Sequence, residues 1–247
     1  MPKNALGPKP STGSFFDPST VYDFLNSQGV LPAWSQTRPY DDVSSGTYTR
    51  NANTIVGLPP SPSNTAASTI AHEMTHASQA LINSAASAIR EKQWQKQSLS
   101  PAEQQFLQVY LKTMGELPGR AVQYGKDGDD RGNAFARIKD TVNALTKNSK
   151  MSESYKSYRT SPKELQAWGV GQSIEGAPSF GDQPLHLNPS FATEFAILMD
   201  TYNRLPSLTR QQAVRNRIDQ FEKRTGQVDE AQYAPPVTNY PNPFKTR

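Results

Sequence analysis

Apolar residues recur along this chain at two spacings, and the switches between them divide it into elements. Val21, Tyr22, Phe24 and Leu25 form the apolar side of a short helix opened by Asp17-Pro18-Ser19-Thr20. Gly46 to Arg50 and Asn53 to Pro59 are β-rich runs separated by Asn and Arg, which predicts a small antiparallel pair. Pro59 and Pro60 end it, because proline cannot donate to a ladder. A helical period then takes over: Ile70, Met74, Ala77, Leu81, Ala85 and Ala88 repeat at three and four. Capping oxygens on Ser63, Asn64 and Thr65 put its start near Ala66, and the pattern runs to about Gln95. A helix that long is expected to bend or break in its second half.

Downstream, Ser100-Pro101-Ala102-Glu103 is a capping box with proline at the first helical position. It opens a helix with Phe106, Val109, Tyr110 and Met114 on one side, stopped by Leu117-Pro118-Gly119. Gly125 to Gly132 resembles a calcium loop, but Arg131 takes a ligand position and Ile138 stands where the bidentate Glu belongs, so it reads as a solvated turn. Phe135, Ile138, Val142 and Leu145 predict a helix over about 132–147. Further helices open at Ser161-Pro162, at Asn188-Pro189 and at Ser207 or Thr209. The second of these turns Phe191, Phe195, Leu198 and Tyr202 inward. The third places Val214, Ile218 and Phe221 inside and Arg210, Arg215, Arg217, Lys223 and Arg224 on a solvated face. Residues 1–17 and the proline-rich 229–247 read as extended arms on one domain over 18–228. The sum is an α+β, mainly helical fold in which a small antiparallel sheet precedes one long helix.

Composition restricts the chemistry. The 247 residues include no cysteine, so disulfides and thiolate metal sites are excluded and any metal must be held by His and carboxylate. A net charge of +4, with both signs spread through the chain, argues against a nucleic-acid binder. The longest apolar run is the five residues Phe195 to Met199, far short of a membrane span. The N-terminal stretch lacks the apolar core of a signal peptide, so a soluble protein, cytoplasmic or carried in a virion, is expected.

Within the long helix stands His72-Glu73-Met74-Thr75-His76. Residues four apart lie about 6 Å along a helix and about 40° around it, so the two imidazoles can converge on one ion while Glu73 reaches a water beside it. The chain has three histidines, and two are in this pattern. Chance supplies such a pattern on the order of 0.002 times per chain. The bland alternative, two polar residues on a solvated face, fits poorly with the apolar and small residues around them. A catalytic zinc needs a third protein ligand. It does not come from the longer motif in which Gly and His follow, because Gln79 and Ile82 occupy those positions.

Tyr158 to Ala167, with Pro162, Glu164 and Ala167, resembles the second signature of the gluzincin metallopeptidases and is similar to a segment of phage and mobile-element zincin-like domains. Together with Ile70 to His76 and the preceding strands, the resemblance covers about a third of the chain. It implies a zincin-like fold and Zn2+ held by His72, His76 and Glu164. Glu73 is then the general base, taking a proton from the attacking water and passing it to the leaving amine. Substrate would add as an extra strand along Asn53 to Leu58. Ser161-Pro162-Lys163-Glu164 is equally a capping box, in which Glu164 would bond back to Ser161. His186 is the next candidate ligand; it is also a candidate catalytic donor to the tetrahedral intermediate, or a loop cap. Glu194 and Asp182 are weaker ligand candidates, and Tyr155 and Tyr158 are alternative oxyanion donors.

Two functions follow. One is a zinc metallopeptidase acting on a peptide or protein. The other is an assembly component of a larger particle, such as a phage virion, built on a zincin fold, with protein partners for its two arms. An intact Glu73 favours the first, since a purely structural zinc needs no base.

Overall fold

Small side chains around its whole circumference let one helix take the centre of this protein. In a computed structural model, described over residues 19–34, 47–50, 53–57, 64–114, 161–175, 179–180, 183–184 and 190–225, that helix is α2, Asn64–Trp94. Before it come α1 (Ser19–Ser27), β1 (Ala33–Trp34), β2 (Thr47–Thr49) and β3 (Thr54–Val56). After it come α3 (Pro101–Met114), α4 (Pro162–Glu175), β4 (Ser179–Phe180), β5 (Gln183–Pro184), α5 (Ser190–Asn203) and α6 (Ser207–Thr225). The fold is mainly helical with a small mixed sheet. Both arms, the turn at 125–132 and the helix expected over 132–147 lie outside the described residues, as do His186, Asp182, Tyr155 and Tyr158.

α2 runs its 31 residues as one α-helix without the expected break. The cause is packing on every side: α1, α3, α4, α5, α6, β2 and β3 all meet it. Its apolar residues are buried as the period predicts, but so are Thr75, Ser78 and Ser84 between them. These hydroxyls are satisfied within the helix, donating to the carbonyls of Ala71 (2.8 Å), Met74 (3.0 Å) and Ala80 (3.1 Å). The sequence period marks one apolar stripe; the Ala, Ser and Thr residues that allow close neighbours elsewhere carry no such signal. The closest neighbour is α4, where a Cβ at Gly171 would lie 3.2 Å from the Ser68 carbonyl oxygen. Ser68 Oγ donates to Gly171 O across the same seam at 3.1 Å.

The sheet has the order β1-β3-β2. β2 and β3 form the expected antiparallel pair, with Tyr48 opposite Ile55. β1 adds in parallel on the other side of β3, Trp34 opposite Ile55. β3 is therefore central, with both ladders in use, and the expectation that a substrate adds along Asn53 to Leu58 is corrected: the outer strands are β1 and β2. Asn53, held at φ 46°, ties the layers together. Its amide donates to Val30 O at 3.2 Å, and its Oδ1 accepts from Tyr48 Oη at 2.9 Å.

The face of α6 also differs from expectation. Thr209, Ala213 and Arg217 are its buried positions, while Ile218 is 36% exposed. The inner face is displaced by one residue, about 100° around the helix. Arg217 is tolerated inside because its donors are used: it donates to Tyr48 Oη, to Arg50 O at 2.7 Å and to Gln220 Oε1 at 3.2 Å. Its guanidinium also lies 4.1 Å from the centroid of the Phe221 ring.

Candidate metal centre

Successive turns of α2 bring His72 and His76 to the same side, with ring nitrogens Nε2 3.1 Å apart. Opposite them, the first turn of α4 delivers Glu164. Its Oε1 lies 3.2 Å from His76 Nε2 and its Oε2 lies 3.5 Å from His72 Nε2. A tetrahedral ion with bonds of about 2.0–2.1 Å would space its ligand atoms about 3.3–3.4 Å apart. The imidazole pair comes near that spacing, and the Glu164 carboxylate divides between them, Oε1 toward His76 and Oε2 toward His72. The donor set is two imidazole nitrogens and one carboxylate, and Glu164 Oε2 is buried with no hydrogen-bond partner among the described residues. A buried carboxylate oxygen in that state costs free energy unless a cation meets it.

Glu73 belongs to the same cluster, its carboxylate and both imidazoles offering ligand atoms within 4.8 Å of one another. Glu73 Oε1 is 3.8 Å from His72 Nε2, farther than Glu164, and Oε2 accepts from the backbone N–H of Tyr48 at 2.7 Å. One oxygen is thus moored to β2 while the other faces the cluster, an arrangement that suits a base better than a ligand. Burial raises the pKa of Glu73, only partly opposed by the imidazoles and the Tyr48 N–H. Burial pushes Glu164 the same way, but the two imidazoles beside it hold it well below the usual carboxylate range. For His76 burial favours the neutral ring; Glu164 and Glu73 outweigh it and raise its pKa.

Around these groups stand residues that no motif announces. Trp168, one turn beyond Glu164, packs its ring 4.6 Å from His72 at 61°. Gln79, one turn beyond His76, accepts from His76 Nδ1 at 2.9 Å. Tyr48 reaches Glu73 from the sheet, and Arg217 holds Tyr48 from α6. Spacing of three or four from a motif residue flags Gln79 and Trp168 in retrospect; nothing local flags Tyr48 or Arg217. Glu194 is on α5, half-buried and outside the cluster.

The arrangement could hold a divalent cation and present a carboxylate beside it. No family model, curated protein or solved structure matches this chain. No helix among the described residues is long and apolar enough to cross a membrane.

Proposed function

We propose that this protein is a zinc-dependent metallopeptidase of the gluzincin type, with His72, His76 and Glu164 as zinc ligands and Glu73 as general base. The observation that carries the reading is Glu164. A carboxylate on a separate helix, nearly 90 residues downstream, faces both imidazoles, one oxygen toward each. When bound, the ion supplies Lewis-acid polarisation of the scissile carbonyl and acidifies a water. The chain's own residues do the rest. Tyr48 N–H fixes Glu73 Oε2, leaving Oε1 to take the water's proton and hand it to the leaving nitrogen. Burial raises the pKa of Glu73, the direction that strengthens a carboxylate as a base. An extended peptide would pair with β2, the outer strand beside Glu73, rather than with β3.

The test is metal content followed by peptidase assay. Wild type should carry one zinc per chain, and His72→Ala should carry none. Glu73→Gln should keep the zinc and lose about 10²–10⁴-fold in hydrolysis of a peptide library. Zinc retained with equal hydrolysis in wild type and Glu73→Gln would instead support a structural role in an assembly. A wild type that takes up no zinc removes the mechanism.

A further inference from the structure

In the sequence, Gln79 is only the residue that breaks a longer zinc motif. In the structure its amide is 2% exposed and committed at three points. Nε2 donates to Lys163 O at 3.0 Å and to Gln166 Oε1 at 3.0 Å, both on α4 or its first turn. Oε1 faces His76 Nδ1 at 2.9 Å. The Lys163 carbonyl can only accept, so the amide has one orientation: NH2 toward α4, oxygen toward the imidazole. An acceptor facing Nδ1 places the ring proton there, and the neutral ring then keeps its lone pair on Nε2. Nε2 is the atom that faces His72 and Glu164. Lys163 immediately precedes Glu164, so the same amide also fixes the backbone from which the third carboxylate projects. His72 is held differently: its Nδ1 has no hydrogen-bond partner among the described residues, and the ring rests against Trp168.

We propose that Gln79 is a positioning residue of the metal centre. It holds His76 in the tautomer that offers Nε2 to the ion and pins the start of α4 so that Glu164 meets the same ion. The proposal rests on the zinc reading above. Its test compares wild type, Gln79→Leu and Gln79→Glu by zinc affinity in competition with a chromophoric chelator. Long-range 1H–15N spectra of the zinc-loaded proteins assign the ring protons. Gln79→Leu should bind zinc about 10–100-fold more weakly and lose the protected His76 Nδ1 proton. Gln79→Glu keeps an acceptor for Nδ1 but opposes the Lys163 carbonyl, and should recover part of the affinity. A Gln79→Leu protein that binds zinc as tightly as wild type overturns the proposal and leaves the zinc reading standing, even if it melts earlier. Should that variant not fold, the wild-type spectrum decides: zinc on His76 Nδ1 with the proton on Nε2 overturns the proposal. Wild type without zinc overturns both, and shows as such before any variant is compared.

Discussion

Helices α3 and α4 start on the same four-residue phrase, Ser-Pro-x-Glu, at 100–103 and at 161–164. The backbones are treated alike. Glu103 N donates to Ser100 Oγ at 3.3 Å and Glu164 N to Ser161 Oγ at 3.4 Å. Both glutamates are buried. Their carboxylates then part. Glu103 turns back to the Ser100 N–H (2.9 Å) and also takes Lys92 Nζ from α2 and Thr209 Oγ1 from α6, each at 2.6 Å. Glu164 turns away from its own cap toward the two imidazoles and leaves one oxygen without a hydrogen bond. A carboxylate with every lone pair engaged holds helices together. One left half-engaged beside two imidazoles is free to meet a cation. What differs is which residues of α2 face each helix start: a lysine at one, two histidines at the other.

Neutralising each carboxylate in turn and measuring zinc separates the two glutamates most sharply. Glu164→Gln should weaken zinc binding by more than a hundredfold, beyond the 10–100-fold typical of groups that only orient ligands. Glu103→Gln should leave it unchanged. Competitive chelator titrations of the two variants check this directly. Equal losses would mean that both glutamates act through the fold and that Glu164 is no ligand.

Stability should move the other way. Glu103→Gln leaves Lys92 without its charged partner inside the α2, α3 and α6 junction, at a cost of about 1–3 kcal/mol, discounted because Lys92 is a third exposed. The acid limb carries the signature. Burial alone would raise the pKa of Glu103, but Lys92, Thr209 and Ser100 together lower it from 4.5 to about 2. A depressed carboxylate stabilises the fold fully above its unfolded value and loses that contribution as pH falls toward its folded value. Denaturation midpoints should therefore fall between about pH 4.5 and pH 2 in wild type, and less steeply in Glu103→Gln. Parallel acid limbs in the two proteins would remove Glu103 from the account.

How much of this the sequence shows follows from which interactions are local. His72 and His76 are four apart on a strongly periodic stretch, so their convergence is set by helix geometry alone. Both Ser-Pro-x-Glu starts are equally local, and both form. The destination of Glu164 is not local: a carboxylate that folds back on its cap and one that faces two imidazoles share one sequence, and the second goes with the packing of α4 on α2 at Gly171 and Ser68. Arg217 is hidden for a related reason. Helical period places it outside, yet Tyr48 and the Arg50 carbonyl, some 170 residues earlier, make its burial tolerable. The short β1 strand carries too few residues for an alternation to show.

The caps themselves give the smallest and finest test. Ser161 Oγ accepts from Glu164 N and makes no bond to the carboxylate, whereas Ser100 Oγ also donates to Glu103 Oε2 at 3.0 Å. Removing the hydroxyl from a helix cap costs about 1 kcal/mol. Ser161→Ala should cost about that and no more. Ser100→Ala removes in addition a hydrogen bond to a buried anion and should cost about 1 kcal/mol beyond it. Thermal melts of the two variants, each domain shifting about 2–4 °C per kcal/mol, resolve the difference. A larger loss at Ser161 than at Ser100 would mean that Glu164 draws on its cap in solution after all, and that the carboxylate is less available to a metal than its position among the imidazoles implies.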